Sequence, residues 1–395
     1  MATAYWFCPE NDIALGRDTA SFTPPRQAAM LGRYGAPLPW WSGTPADVVL
    51  LPADLSELER YALAQWQETV TEAFGEGPRF VTNLNDINDI TRLQPWGISR
   101  YSAHRLERAG APAHLTDAMN AKAQECRRLS HRRSSIRICQ LLTEAITSGT
   151  LTMPVPQAPV EAFSIDEASK AIAKFDEVYV KSPWSSSGRG VLHGHADAPG
   201  QLLRRCENAI ATQGSVMIER AHKKLLDFAM LFRASAGKVT AEGLSLFFNV
   251  RDGAYGGNML ASDAGIAAHI RRLLPDFDLE LLGGIMCRVL ETLIGDSYTG
   301  PLGIDMMVAE ENGNTYLVPC VELNLRATMG FVARDVYRKT AGRYNLMQII
   351  PGGVLNGATH DALKGELRTL CRQILISASL PAIATCQSYD AWPLV

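Results

Sequence analysis

The sequence predicts a mixed α/β and α+β chain, with a small α/β unit preceding a larger unit of two strand-rich lobes. Three observations carry this expectation. Strand and helix signals alternate over the first ~115 residues. A helix, a strand, a Ser/Gly-rich loop, a strand, a helix and a strand succeed one another between about 155 and 235. Two apolar strands further on are joined by an Asn-Gly turn. At 395 residues the chain is too long for one ordinary core and suits two or three fused units.

Taken in order, Tyr5-Trp6-Phe7 and Val48-Val49-Leu50-Leu51 are short apolar runs of strand type, separated by the turns Thr23-Pro24-Pro25 and Pro37-Leu38-Pro39. Asp54 with Glu57 reads as a capping box, followed by Leu55, Leu58, Ala62, Trp66 and Val70 at helical spacing. A single long helix is expected from about Asn120 through His131-Arg132-Arg133 to Leu142, and Pro154-Val155-Pro156 breaks the chain after it. Residues 243–250 read as strand. Asp278 caps a helix whose buried face is Leu279, Leu282, Met286, Val289 and Leu293, and Gly295 ends it. Residues 304–309 and 316–323 then form a hairpin across Glu311-Asn312-Gly313-Asn314. The last ~45 residues carry no clear pattern.

Composition narrows the function. With 38 Lys and Arg against 41 Asp and Glu, the net charge of −3 gives no global field to attract nucleic acid or anionic membranes. The 8 cysteines are scattered without a CxxC pair, which argues against structural zinc and against a secreted disulfide framework. The start, with Glu10 and Asp12 early, lacks the basic and apolar segments of a signal peptide, and no run approaches the roughly 20 apolar residues that span a bilayer. The expected setting is the cytoplasm.

Three constellations carry chemistry. In the first, the strand Val178-Tyr179-Val180 delivers Lys181 to a loop containing Ser185, Ser186, Ser187, Gly188, Arg189 and Gly190. A fixed cation, hydroxyls and close-approaching backbone N–H groups suit polyphosphate, although a Walker A loop is absent. In the second, Asp305 lies in one strand of the Asn-Gly hairpin, and Glu322 and Asn324 lie two residues apart on the other. If the strands pair, all three share a face. Two carboxylates and an amide oxygen embedded among Ile, Met, Val and Leu form a hard-oxygen set suited to Mg2+ on nucleotide phosphates. In the third, the strand ending in Glu219-Arg220-Ala221-His222 is followed by Asp227 at the start of another strand. Such a stretch can present backbone groups to an adenine edge and an acid to ribose. His193-Gly194-His195 has no third ligand nearby, and Cys8 and Cys320 read as buried thiols. Pro9-Glu10-Asn11-Asp12 and Pro95-Trp96-Gly97 read as turns, with a substrate role as the alternative, and the polar, Gly-rich segment from Asp252 to Asn258 reads as a surface loop or an acceptor-binding loop.

The order lysine, Gly-rich loop, Glu hinge, Asp, then Glu-x-Asn-x-Arg resembles the ATP-grasp superfamily over roughly residues 120–335. The resemblance implies an ATP-grasp fold, two α+β lobes gripping ATP, preceded by a small α/β pre-ATP-grasp domain. It implies boundaries near 1–115, 116–350 (smaller lobe about 155–235) and a C-terminal extension over 351–395. It implies that Lys181, the loop from Ser185 to Gly190, the hinge Glu219, Arg220 and His222, and Asp227 bind ATP. Asp305, Glu322 and Asn324 would hold Mg2+, with Mn2+ as an alternative ion, and Arg326 and Arg189 would lie near the transferred phosphoryl group. Three departures stand out. The upstream nucleotide-contacting lysine is replaced near Arg132 or Arg133; Gly303 stands where a cation is frequent, leaving Arg233 or Arg251 as substitutes; and the interval from Glu219 to Asp227 is about one residue long. The implied activity is an ATP-dependent carboxylate–amine ligase acting on small molecules. Phosphoryl transfer and non-catalytic nucleotide binding are the alternatives, and a homodimer is compatible.

Overall fold

In the computed structural model, the described residues are 1–185, 190–249, 255–350 and 382–386. The N-terminal sheet is parallel, in the order β3-β2-β1-β4, and comprises β1 (Ala2–Trp6), β2 (Val48–Leu50), β3 (Arg79–Val81) and β4 (Ile90–Pro95). Val48, Val49 and Leu50 are buried on both faces, as expected of a central strand covered by helices. The helices are α1 (Asn11–Arg17), α2 (Arg26–Tyr34), α3 (Glu57–Phe74) and α4 (Arg100–Arg108). The capping box of α3 lies two residues beyond the expected one. Ser56 and Glu59 bond reciprocally, whereas Asp54 accepts from Arg33 at 2.9 Å. An aromatic cluster of Phe7, Trp40, Trp41, Trp66 and Trp96 joins this unit to α11 (Met329–Lys339) through Val332, Ala333 and Val336.

The long helix expected from about 120 to 142 is two helices, α5 (Ala113–Leu129) and α6 (Arg133–Thr147). The Ser134 hydroxyl donates to the Leu129 carbonyl and Ser135 to that of Arg132, each at 2.7 Å. Side-chain bonds to the backbone thus compete with helix continuation at that corner. The break places Arg132 at an elbow, where its backbone N–H reaches the Pro183 carbonyl at 3.2 Å.

A four-stranded sheet, ordered β5-β8-β6-β7, forms the smaller lobe from β5 (Val160–Ala162), β6 (Glu177–Lys181), β7 (Val191–His195) and β8 (Val216–Arg220). Helices α7 (Ile165–Ile172) and α8 (Gly200–Gln213) pack on it. The larger sheet runs β13-β12-β9-β10-β11-β14-β15. Its strands are β9 (Lys223–Ser235), β10 (Lys238–Asn249), β11 (Tyr255–Met259), β12 (Gly300–Glu311), β13 (Asn314–Asn324), β14 (Leu346–Ile350) and β15 (Ala382–Cys386). Phe228, Met230, Phe232, Ile304, Met306 and Val308 fill the face against α6 and α10 (Leu279–Ile294), and α9 (Asp263–Leu273) covers the same side. Asp278 caps α10 and Gly295 ends it, as the sequence predicts. Among the described residues no helix is long and apolar enough to cross a membrane.

Candidate active site

The second face of the larger sheet carries the acidic set. Asn312 and Gly313 both take positive φ, 51° and 81°, the geometry that Asn-Gly favours in a tight hairpin. From that turn Met307 pairs with Val318, yet Asp305 pairs with Glu322, so two residues of β12 span four of β13. An even slip keeps the carboxylates on one face and brings Glu322 opposite Asp305 and Asn324 opposite Gly303. Burial, reinforced by the Glu322 charge, pushes the Asp305 carboxyl up to about 7 against the pull of its bond to Asn324. Two neighbouring acids at the edge of a core create a strong demand for positive charge, and their oxygens are of the type that hard divalent cations prefer.

Two arginines answer that demand from opposite sides. Arg132, at the α5–α6 elbow, donates to Glu322 at 2.8 Å and to both the Ser182 carbonyl and the Ser185 hydroxyl at 2.7 Å. Arg133 instead turns to Glu161 at 2.7 Å, so the elbow selects Arg132 for the site. Arg326 donates to the Asn324 carbonyl oxygen and to Asp12, each at 2.7 Å.

Lys181 ends β6 almost fully buried and pairs with Glu219 of the adjoining β8, whose other carboxylate oxygen has no partner among the described residues. Ser182 N–H donates to the Gly190 carbonyl at 2.8 Å, closing the loop's base. Gly190 sits at φ 79°, where a Cβ would come within 2.9 Å of that of Ser185. Ser186, Ser187, Gly188 and Arg189 lie outside the described residues, as does Arg251. Ala221 and His222 carry the chain from the small sheet into the large one. His222 meets the Tyr316 hydroxyl at 2.8 Å, and burial together with Arg220 holds its imidazole down at about 4. Arg220 itself pairs with Glu311 at the exposed end of β12. Burial raises Asp227 despite its bonds to Lys224 and to the Asn249 amide, and it stands beside Met307, near Asp305.

The structure therefore gathers Arg132, Lys181, Ser185, Glu219, Asp227, Asp305, Glu322, Asn324 and Arg326, with Arg220 at the rim. A small pocket of about 10 Å³ lies at one side of this group, lined by Asp12, Ser130, Trp184, Ser185, Glu322 and Asn324. Arg233 is paired with Glu242, and Thr328 and Leu231 flank Gly303. The His193/His195 pair shares Glu177 on the exposed β6–β7 hairpin, and burial drives the Cys8 thiol well up. Two contributors are not singled out by motif or spacing. Trp184 fixes the start of the loop, donating to the Arg127 carbonyl at 2.9 Å beneath a guanidinium 4.0 Å from its ring. Asp12 reaches the site from the first turn of α1; in the sequence it stands only within a turn for which a substrate role is the alternative reading.

No protein-family model matches the chain, and no curated protein sequence matches it. Solved structures do. N5-carboxyaminoimidazole synthetase from Staphylococcus aureus, complexed with ADP, is 12% identical, with 98% of this chain and 93% of that one covered and a TM-score of 0.51. The biotin carboxylase domain of Hydrogenobacter thermophilus 2-oxoglutarate carboxylase, in complex with MgADP, gives 15% identity, 74% and 69% coverage, and 0.41. D-alanyl-alanine synthetase A from Vibrio cholerae gives 14%, 70% and 87%, and 0.37. The likeness to the first of these extends over nearly the whole chain and shows a shared fold.

Proposed function

We propose that the chain, which shares its fold with N5-carboxyaminoimidazole synthetase, is an ATP-grasp enzyme, an ATP-dependent ligase that activates a small-molecule carboxylate as an acylphosphate for attack by an amine. The observation that carries this reading is the partly buried trio Asp305, Glu322 and Asn324, flanked by Arg132 and Arg326. A purely structural trio would leave two acids side by side for no gain. The donor set fits a hard divalent ion, Mg2+ or alternatively Mn2+, and Asp305, Glu322 and Asn324 would hold it. When bound, such an ion neutralises charge on the nucleotide phosphates.

The chain's own groups would do the rest. Lys181 and Arg132 would bind phosphate oxygens, and the loop from Ser185 to Gly190 would cover them and exclude water, which otherwise hydrolyses an acylphosphate. The hinge of Glu219 to His222 would meet adenine, and Asp227 would accept from ribose. A substrate carboxylate oxygen bonds to the γ-phosphorus as its bond to ADP breaks. The amine then attacks the acyl carbon, phosphate leaves, and the nitrogen loses a proton. Arg326 would orient the transferred group. Buried free thiols at Cys8, Cys126, Cys139, Cys206 and Cys320 suit a reducing cytoplasm. The test is ADP release against a panel of carboxylates and amines, with products read by mass spectrometry. Amide formation supports the ligase, and a phosphorylated product or no turnover in any combination overturns it.

A further inference from the structure

The elbow between α5 and α6 is capped from outside the helix. Arg132 occupies the N-cap of α6, yet its side chain makes no bond to the helix. The first helical N–H, that of Arg133, donates instead to Nδ1 of His131 at 3.0 Å. An acceptor one residue before the cap replaces the usual N-cap side chain and satisfies one of the helix's orphan donors. The Arg132 guanidinium is left to turn away from the helix and reach Ser182, Ser185 and Glu322. It is held only at its tips, because Nε has no partner among the described residues. Its direction therefore depends on the backbone beneath it.

His131 is itself fixed from two sides. It is 4% exposed, and its ring meets Trp184 edge to face with centroids 4.4 Å apart. With Nδ1 accepting from the backbone, the ring proton lies on Nε2, which faces Glu161 Oε1 at 3.6 Å. Burial, reinforced by the charges of Arg133, Arg127 and Arg132, holds the imidazole down at about 3, so the ring stays neutral and Nδ1 keeps its lone pair. Glu161 belongs to β5 of the smaller lobe and also accepts from Arg133 at 2.7 Å and from the Ser215 hydroxyl at 2.6 Å. The turn that carries Arg132 is braced against the lobe that carries Lys181.

We propose that His131 is a positioning residue, which sets the first turn of α6 so that the Arg132 guanidinium spans the loop base and the acidic trio. The proposal rests on the nucleotide-binding reading of that site. The test is calorimetric titration of MgADP into wild type, His131→Ala and His131→Asn. The asparagine amide oxygen falls where Nδ1 lies and can accept from the Arg133 N–H, but neither variant keeps the ring on Trp184. Both should lose thermal stability alike. Affinity should fall about 10-fold in the alanine variant and stay within about threefold of wild type in the asparagine variant. In the Arg132→Lys background, His131→Ala should add less than about twofold, since the fork it positions is already gone. If the alanine variant does not fold, His131→Gln takes its place, its amide reaching toward Nε2 and missing the Arg133 N–H. Equal losses of affinity in the two variants, or a loss that adds fully to that of Arg132→Lys, overturn the proposal. If wild type does not bind MgADP, the nucleotide reading falls and the proposal with it.

Discussion

The Asp12 carboxylate and the Arg326 guanidinium meet at 2.7 Å across 314 positions of sequence, joining the first helix to the segment that follows the acidic trio's last strand. Arg326 uses a second nitrogen on Asn324, so Asp12 helps to fix the orientation of that amide. Replacing Asp12 by Ala leaves a largely buried guanidinium short of its counter-charge. The expected loss is about 1–3 kcal/mol, because the pair keeps some solvent contact. A lowered urea midpoint would report it, and an unchanged midpoint would make the pair incidental.

Asp305 gives a pH dependence of defined sign. Its carboxyl titrates at about 7 in the folded chain and at an ordinary 3.8 when unfolded. Between those values the folded state holds the extra proton, so the stability of the ligand-free protein falls as pH rises from about 4 to 7. Cation binding needs the ionised acid, so affinity for Mg-nucleotide should rise through the same pH range. Unfolding midpoints at pH 5, 6, 7 and 8 should show the decline in wild type and a smaller one in Asp305→Asn.

Arg132 bridges three acceptors on two elements, the Ser182 carbonyl, the Ser185 hydroxyl and Glu322. A lysine carries the same charge but not the planar fork. Arg132→Lys is expected to fold normally and to bind nucleotide on the order of 10-fold more weakly. Calorimetry with MgADP decides this, and wild-type affinity would reduce Arg132 to generic charge.

Much of the site was legible in the sequence because its chemistry is local. Glu322, Asn324 and Arg326 lie on one short stretch, the Asn312-Gly313 turn announces the hairpin that brings Asp305 to them, and Lys181 ends an apolar strand. What was not legible depends on contacts between distant segments or on close local competition. The choice between Arg132 and Arg133 follows from a helix break made by Ser134 and Ser135, whose hydroxyls divert the backbone within an otherwise helical pattern. The shift of the α3 cap from Asp54 to Ser56 follows from Arg33, 21 residues upstream of Asp54, claiming that carboxylate. Asp12 and Trp184 enter the site only through long-range packing, which periodicity and spacing do not encode.

The central claim is that Asp305, Glu322 and Asn324 hold a divalent cation together with a nucleotide. The most direct measurement is calorimetric titration of ADP into wild type and Glu322→Gln, with and without Mg2+, with folding verified by circular dichroism. The account predicts that Mg2+ tightens ADP binding to wild type 10-fold or more and has little effect on the variant. Equal enhancement by Mg2+ in both proteins, or none in wild type, would contradict it.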